Sequence, residues 1–315
     1  MRSEFDLIEH IRARVAPRPD VVLGIGDDGA VLEVPDGHQL VVTADTLNAG
    51  VHFPHDTPVD AIGWKSLAVN LSDLAAMGAQ PAWCTLSLSM PESDPAWLDG
   101  FLDGFLSLAA RHRICLIGGD TTRGPLSIAV TALGLVPHGS ALRRDGAREH
   151  DDVWVTGTLG DAAAALADIL DRRQAPVALR ERLDRPGPRV DAGLQLQGLA
   201  HACIDLSDGL LADLGHICTR SGVGAEVELA KLPASAALAA LDQDSRWLHQ
   251  ASGGDDYELC FTAAQACRTQ IVQAMEAANT AVTRIGAIVR GQGVHARDAE
   301  GKTWRPSHRG YQHFS

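Results

Sequence analysis

Aspartates beside glycines at five separate points constrain this chain more than any other feature. The segments GIGDDGA, TADTLNAGVHF, NLSDLAAMG, GGDTTRG and IDLSDGL begin at residues 24, 43, 70, 118 and 204. Each one alone is explained by an ordinary turn or helix cap. Carboxylates gathered in one cleft, however, repel each other unless hard cations neutralise them. Five such clusters together therefore predict a magnesium and phosphate site.

Charge and cysteine usage narrow the class of protein. The chain has 27 basic and 40 acidic residues, a net charge of −13, and no Lys/Arg-rich tract, so nucleic acid is not an expected partner. Its six cysteines include no C-x-x-C pair and are predicted to be reduced core thiols. No apolar stretch approaches the roughly 18 residues of a membrane span. These observations predict a cytoplasmic protein without membrane association.

The alternation of strand and helix patterns predicts an α/β or α+β fold. With 315 residues, two domains are more probable than one large domain. The polar segment 137–151 suggests a boundary between an N-terminal domain, residues 1–140, and a C-terminal domain, residues 141–315. Residues 60–77 are predicted to form a helix that places Asn70 and Asp73 on one face. A short strand over 114–117 is predicted to end in the turn Gly118-Gly119-Asp120.

Two nucleotide-binding motifs fail on inspection. Residues Gly24–Gly29 match G-x-G-x-x-G, but a β-like segment follows where that fingerprint requires a helix. Gly301-Lys302-Thr303 ends like a P-loop, but Ala296 stands where its first glycine belongs. No G-x-S-x-G elbow is present. ATP binding would therefore depend on metal bridging, glycine-loop amides and scattered basic residues.

Ordered motifs over nearly the whole chain resemble the thiamine-monophosphate kinase family. They are GIGDDGAVL, TADTLNAGVHF, GWKSLAVNLSDLAAMGAQPAW, LIGGDTTRGPLSI, DDVWVTGTLGD, RPGPRV, CIDLSDGLLADLGHI, SGGDDYELCF and the tail GYQHF. The wider superfamily is similar to aminoimidazole ribonucleotide synthetase and selenophosphate synthetase, and it shares the glycine-aspartate clusters but not the full set.

The resemblance implies both a fold and a reaction. The fold is a two-domain, aminoimidazole ribonucleotide synthetase-like α/β structure whose N-terminal strands form a shared barrel in a homodimer, with the C-terminal domain completing the active site. The reaction is magnesium-assisted, in-line transfer of the ATP γ-phosphate to thiamine monophosphate, giving thiamine diphosphate. No general base is assigned, because the attacking phosphate oxygen is already ionised.

The resemblance also assigns roles to individual positions. The magnesium ligands it implies are Asp28, Thr43, Ala44 (through its backbone), Asp45, Asp73, Asp120, Asp205 and Asp208. The ATP contacts are Gly119, Asp120, Arg148 and Ser207, and the thiamine monophosphate contacts are His52, Asp255 and Tyr311. Asp255 departs from the family, which usually has glutamate there, so its contact with substrate is in question. Tyr311 is expected to stack on the cationic thiazolium ring.

Three other functions remain open at this stage. The protein would be another ATP-using member of the superfamily if it acts on a carbonyl or amide oxygen or on selenide. It would be a metal-dependent phosphatase if the same aspartates activate water. It would be a nucleotide sensor if ATP binds without turnover.

Overall fold

The computed structural model describes residues 4–306 and Gly310, and the chain forms two compact units. The first unit comprises residues 1–74 and 79–139, and the second comprises residues 75–78 and 140–315. The first unit contains helices α1 (Glu4–Arg14), α2 (Val59–Ala76) and α3 (Pro95–His112), and strands β1 (Val21–Leu23), β2 (Val31–Leu32), β3 (His38–Asn48), β4 (Gln80–Met90), β5 (Cys115–Arg123) and β6 (Ser127–Pro137).

A four-stranded sheet in the order β3-β6-β4-β5 organises the first unit. Its pairs are antiparallel except β4 with β5, which are parallel, and the short β1 and β2 form a separate hairpin. Strands β3 and β5 are the two edges of the sheet within the described residues. Residues 41, 43, 45 and 47 of β3 share the more buried face, whereas Leu40 and Val42 face outward and are exposed.

Helix α2 is buried on every side over residues 61–72, more completely than its apolar stripe predicts. The leucines Leu67, Leu71 and Leu74 have no exposed surface, and Asn70 is equally buried. Helix α3 begins at Pro95, because Asp94 caps its first turn by accepting from the N–H groups of Ala96 and Trp97.

Strand β5 is longer than predicted. The glycines at 118 and 119 do not end it, and pairing with β4 continues through Asp120 to Arg123. The pairing register shifts between Leu116 and Gly118, and Gly119 adopts a φ of 151° that favours glycine. A Cβ at residue 119 would lie 1.8 Å from the Leu86 carbonyl oxygen. Gly119 therefore allows the close pairing of β5 with β4, and the two glycines do not form a turn.

The second unit is built on a seven-stranded sheet in the order β13-β12-β9-β11-β7-β10-β8, in which only β12 and β9 are parallel. Its strands are β7 (Asp152–Thr156), β8 (Ala202–Asp205), β9 (Gly224–Glu228), β10 (Leu259–Ala263), β11 (Val282–Val289), β12 (Gly293–Arg297) and β13 (Thr303–Trp304). Its helices are α4 (Asp161–Leu170), α5 (Val177–Asp184), α6 (Val190–Gln195), α7 (Leu210–Ser221), α8 (Gln243–Ser252) and α9 (Arg268–Ala277).

Two further sequence-based expectations concern cysteines and membrane spans. All six cysteines are unpaired, and only Cys267 is not buried. Burial raises the pKa of the Cys218 thiol to about 11, which makes that thiol unreactive at neutral pH. Among the described residues, no helix combines the length and apolarity that a membrane crossing requires.

Candidate active site

Strand β3 and helix α2 bring three of the predicted site residues together. Thr43 and Asp45 are two residues apart on β3 and so lie on the same face, and Asp73 lies in the last turns of α2. The Thr43 hydroxyl donates a short hydrogen bond to the Asp73 carboxylate. Asp45 also hydrogen-bonds to Asp73. We call these three residues the β3–α2 cluster.

The β3–α2 cluster holds two carboxylates that repel each other. Burial, the negative charge of Asp73 and the hydrogen bond with Asp73 together raise the pKa of Asp45 to about 6. At neutral pH the pair is therefore destabilised relative to the same groups in water, and a bound cation or a shared proton relieves the repulsion.

The donor set of the cluster fits Mg²⁺. Magnesium is usually bound in proteins by one or two carboxylates, with water and substrate phosphates supplying the remaining oxygen ligands. The cluster supplies two carboxylates and a hydroxyl oxygen. No group of three or more His, Cys, Asp or Glu side chains suited to a metal occurs in the described part of the chain. The arrangement thus matches a metal that depends on substrate oxygens for its coordination.

Asp120 lies far from Asp45 within one chain. The strand register aligns Asp45 with Val130, Leu86 and Gly119 in one row across the sheet. Because β3 and β5 are three strand spacings apart, Asp45 and Gly119, at the two ends of this row, are separated by roughly 14 Å. Asp120 follows Gly119 in β5 and is exposed. Gly119 and Asp120 are therefore adjacent to each other but not to Asp45.

The remaining predicted residues of the first unit occupy separate positions. Asp28 lies on the exposed turn between β1 and β2, where its backbone N–H donates to the Asp27 carboxylate over 2.9 Å. Ala44 is on the outward face of β3, opposite to its neighbours Thr43 and Asp45. His52 follows β3, and its Nδ1 accepts from the backbone N–H of Asn48 over 2.9 Å. This bond fixes the orientation of the His52 ring.

In the second unit, a buried carboxylate holds the turn that carries the predicted ligands. Asp205 ends β8 and is buried, and Ser207 and Asp208 lie in the turn before α7. The Asp213 Oδ2 accepts from the backbone N–H groups of Ser207, Asp208 and Gly209 over 3.1, 3.1 and 3.0 Å. Gly209 is the N-cap residue of α7 and has no side chain to cap the helix, so Asp213 in the first helical turn satisfies the N–H groups of the preceding turn instead.

Three successive N–H groups form an anion-binding concavity, and Asp213 already fills it. Burial raises the pKa of Asp213 to about 7, with a further contribution from the charge of Asp208, while hydrogen bonds from the backbone of Gly209 and Asp208 oppose the increase. Sequence analysis missed Asp213. The available signal was its place in the first turn of a helix that begins with glycine.

Arg148, Asp255 and Tyr311 complete the predicted set. Arg148 is exposed, and its backbone N–H donates to Asp151 Oδ2 over 2.9 Å. Asp255 is half-buried, and its Oδ1 accepts from the Tyr257 hydroxyl over 2.9 Å. Tyr311 lies outside the described residues.

An ion-pair network next to Asp255 was also missed. Glu258 is fully buried and accepts from Arg182, from Arg189 through two nitrogens at 2.6 Å, and from the Thr156 hydroxyl at 2.7 Å. Burial alone raises the pKa of Glu258, but the hydrogen bond from Arg189 and the charges of Arg189 and Arg182 outweigh it and hold that pKa below its usual value. Arg189 belongs to the motif RPGPRV, and Arg182 precedes it. The spacing of these arginines along the sequence does not indicate that Glu258 is their partner.

Comparison with known proteins assigns the family. The model of the AIR synthase related protein N-terminal domain matches residues 26–136, and that of the C-terminal domain matches residues 148–299. A thiamine-monophosphate kinase of Escherichia coli K12 is 46% identical over 99% of this chain and 98% of its own length. The chain belongs to the thiamine-monophosphate kinase family. The resemblance inferred from the sequence motifs is thereby confirmed.

Solved structures of family members confirm the two-domain α/β fold. Thiamine-monophosphate kinase from Stenotrophomonas maltophilia K279a is 55% identical, with a TM-score of 0.88 over 96% of this chain and 98% of that chain. The structure of AaThiL complexed with AMPPCP and TMP is 33% identical, with a TM-score of 0.78 over 100% of this chain and 99% of that chain. The shared barrel and the domain boundary remain predictions.

Proposed function

We propose that this protein transfers the γ-phosphate of ATP to thiamine monophosphate, producing thiamine diphosphate and ADP. The β3–α2 cluster carries the proposal, because its two mutually repelling carboxylates suit a magnesium ion that also binds phosphate. The family relationship supports it, since relatives with nearly full-length matches are thiamine-monophosphate kinases and one is complexed with an ATP analogue and TMP.

We propose the same residue roles that the resemblance implies. Magnesium would be held by Asp28, Thr43, the Ala44 backbone, Asp45, Asp73, Asp120, Asp205 and Asp208. ATP would contact Gly119, Asp120, Arg148 and Ser207, and thiamine monophosphate would contact His52, Asp255 and Tyr311. In this proposal the two units are the two functional domains, and residues of both serve one reaction.

Electrostatics dominate the proposed mechanism. Both reactants are phosphates, and a magnesium ion, where bound, would supply positive charge that offsets their repulsion and the charge of the transition state. Asp45 and Asp73 would hold that ion, and Thr43 fixes the Asp73 carboxylate by donating to it. Asp213 holds the turn of Ser207 and Asp208 rigid. The attacking phosphate oxygen is already ionised, so no side chain has to remove a proton.

We propose that the protein acts as a homodimer through the four-stranded sheet of the first unit. Both edges of this sheet are open within the described residues, and β3 presents the exposed apolar side chains Leu40 and Val42. Pairing of β5 from a second copy with β3 would bring that copy's Asp120 toward Asp45 and close both edges. The separation of Asp45 from Asp120 within one chain supports this arrangement.

Mixing two inactive variants tests the shared site. Asp73→Asn and Asp120→Asn are each expected to abolish turnover. In a mixed dimer one site would carry both substitutions and the other would carry neither, so mixing should restore up to half of the wild-type activity per mixed dimer. No restoration after subunit exchange, with dimers present by light scattering, would place all ligands in one chain.

A cytoplasmic location is also proposed. Five buried, unpaired cysteines support it, because reducing compartments keep thiols from forming disulfides.

A magnesium-dependent assay of purified protein tests the reaction itself. Thiamine diphosphate should form from ATP and thiamine monophosphate, with one ADP per product, and chelation of magnesium should stop it. Release of inorganic phosphate from thiamine monophosphate without ATP would instead identify a phosphatase. ATP binding with no turnover of thiamine monophosphate or any other acceptor would identify a sensor, and turnover of a carbonyl, amide or selenide acceptor alone would identify another member of the superfamily.

A further inference from the structure

One buried amide oxygen of helix α2 has no hydrogen-bond partner in the described part of the chain. Asn70 has no exposed surface, and its Nδ2 donates to the Ser66 carbonyl over 3.1 Å, whereas its Oδ1 accepts from no group of the protein. Most buried polar atoms of side chains have a partner, and each exception in a native structure requires a physical explanation, such as a bound ion or water.

The hydrogen bond to Ser66 fixes the orientation of the Asn70 amide. Its nitrogen points back to the carbonyl of the preceding helical turn, so its oxygen, on the other side of the amide carbon, points away from that carbonyl. The reverse orientation would place two acceptors against each other, because a carbonyl cannot donate. The direction of Oδ1 is therefore set by the protein itself.

Asn70 shares one face of α2 with Asp73. Residues three apart on a helix are neighbours, with Cβ atoms about 5–6 Å from each other. The carboxylate of Asp73 hydrogen-bonds to Thr43 and Asp45 of β3, so this face of α2 is the one that packs on the sheet at the β3–α2 cluster. The unpartnered oxygen of Asn70 thus lies one helical turn before the cluster, on the same side of the helix.

The sheet beside the cluster supplies no strong donor. Residues directly opposite each other in an antiparallel pair share a face, and the strand register places four buried side chains next to Thr43 and Asp45. They are Ala132, Val130, Cys84 and Leu86. The Thr43 hydroxyl has one proton and donates it to Asp73. Among these groups, oxygen acceptors therefore outnumber donors.

We propose that the Asn70 amide oxygen is a further ligand of the cation that Asp45 and Asp73 would hold. The inference rests on the magnesium site of the proposed function, and not on the identity of the acceptor substrate. Hard divalent cations bind oxygen, from carboxylates and from neutral carbonyl groups alike. An amide adds such an oxygen without adding a third negative charge to two carboxylates that already repel each other.

Mn²⁺ binding to the Asn70→Leu variant tests the proposal. Leucine keeps the branched shape of the side chain and removes its oxygen. Mn²⁺ serves as the probe for Mg²⁺, and its binding to the full chain in the presence of AMPPCP is followed by electron paramagnetic resonance. We expect the Mn²⁺ dissociation constant to rise about tenfold, as for the loss of one oriented group at a metal site. An unchanged dissociation constant would overturn the proposal.

A double-mutant cycle shows whether Asn70 acts on the same ion as Asp73. In an Asp73→Asn background, Asn70→Leu should weaken Mn²⁺ binding much less than in wild type, because the two residues would share one ion. Full additivity of the two substitutions would contradict a shared ion.

Asn70→Asp separates a ligand from a packing role. This variant retains an oxygen in a side chain of nearly the same shape, but it loses the donor to the Ser66 carbonyl and adds a charge beside Asp73. We expect Tm without metal to fall, and the Mn²⁺ affinity to equal or exceed that of wild type. If Mn²⁺ affinity instead fell together with Tm in both the Asp and the Leu variant, Asn70 would have a structural role only.

Ser66→Ala is the matched control. Ser66 has no exposed surface, and its hydroxyl donates to the Gly63 carbonyl over 2.9 Å. The substitution removes a buried polar group from α2 but keeps the backbone carbonyl to which Asn70 donates. We expect unchanged Mn²⁺ binding. A tenfold loss here as well would show that any polar loss in α2 weakens binding, and it would contradict a specific role of Asn70.

Metal binding and product formation separate the two levels of the proposal. If wild type binds Mn²⁺ with the expected dependence on Asn70 but forms no thiamine diphosphate, the proposed reaction is wrong and this inference stands. If wild type is active and Asn70→Leu binds Mn²⁺ as wild type does, only the role of Asn70 is wrong. Wild-type protein that binds no Mn²⁺ would overturn both the magnesium site and this inference.

Discussion

The Asp45–Asp73 pair of the first unit and Glu258 of the second unit are held in opposite ways. In the first unit, burial and the charge of Asp73 both raise the pKa of Asp45 to about 6, so the two carboxylates repel each other. In the second unit, Arg182 and Arg189 neutralise Glu258 and hold its pKa below the usual value despite complete burial. A binding site can keep carboxylates without a positive partner, which a bound cation then neutralises. A residue with a structural role is instead neutralised by other side chains of the protein. Stability and activity should therefore respond in opposite ways to substitutions in the two places.

The largest expected effect is the loss of the scaffold charge. Glu258→Gln leaves two guanidiniums without their buried counter-charge and should lower the free energy of unfolding by about 3–5 kcal/mol. Urea unfolding followed by circular dichroism measures this. The matched control is Glu228→Gln, because Glu228 forms only an exposed ion pair with Lys231 and should cost less than about 1 kcal/mol. If both substitutions lowered the free energy of unfolding equally, the buried Glu258 pair would stabilise the fold no more than the exposed Glu228 pair.

Asp73→Asn should have the next largest effect, and on activity alone. Turnover should fall more than about a hundredfold, a loss of roughly 2.7 kcal/mol in transition-state stabilisation. Without magnesium the unfolding midpoint should stay the same or rise, because the substitution relieves repulsion with Asp45 and Thr43 still has an oxygen acceptor.

The exposed Asp103, which pairs with Arg14 on the surface of the first unit, provides the control for Asp73. Asp103→Asn should leave turnover unchanged. Near-normal turnover of Asp73→Asn at ordinary magnesium concentration would show that the β3–α2 cluster is not part of the active site.

Asp213→Ala should give an intermediate effect on stability. It leaves three backbone N–H groups of residues 207–209 without their acceptor, at a cost of about 1–3 kcal/mol. Asp213→Asn retains an acceptor oxygen and should cost less than half as much. The difference in Tm between the two variants measures the contribution of these hydrogen bonds, and identical losses would mean that the side chain acts through packing alone.

The smallest expected effect is a pH-dependent one at Asp256. Burial raises the pKa of Asp256 well above its usual value, although a hydrogen bond from the Gly160 backbone and the charge of Arg182 oppose the increase. The stabilisation from its protonated form is complete below the unfolded-state pKa of about 3.9 and is lost as pH rises through the folded-state pKa. Asp256→Asn mimics the protonated form, so its Tm should exceed that of wild type by about 2–4 °C at the alkaline end.

Asp152→Asn is the control, because the stability that Asp152 contributes should depend on pH in the opposite direction. Burial raises the pKa of Asp152, but hydrogen bonds from Arg268 and Arg284 outweigh it and hold that pKa below the usual range. Its stabilisation is therefore present above the unfolded-state pKa and lost as pH falls through the folded-state one. Asp152→Asn should lower Tm at neutral pH and have a diminishing effect in acid. Parallel pH profiles for wild type and both variants would contradict the two assignments.

Much of the local structure followed from the sequence by itself. The apolar spacing of residues 60–77 predicted α2 closely, because helix periodicity is a local property. The full set of ordered motifs along the chain, and not the glycine-aspartate clusters alone, predicted the family. The clustered aspartates also predicted a need for cations, and this stays a prediction, with which the raised pKa of Asp45 agrees.

Only the tertiary structure decided which of these groups meet. Strand order is a long-range property, and it places Asp45 and Asp120 on opposite edges of one sheet while it brings Asp73 to Thr43. The same holds for Glu258 and Arg189, which are 69 residues apart in the chain. The glycines at 118 and 119 predicted a turn, yet Gly119 lies within β5. There β4 approaches so closely that a Cβ would not fit. Sequence sets the residues and their local conformation, and pairing between distant segments determines which charges are neutralised and which remain for a ligand.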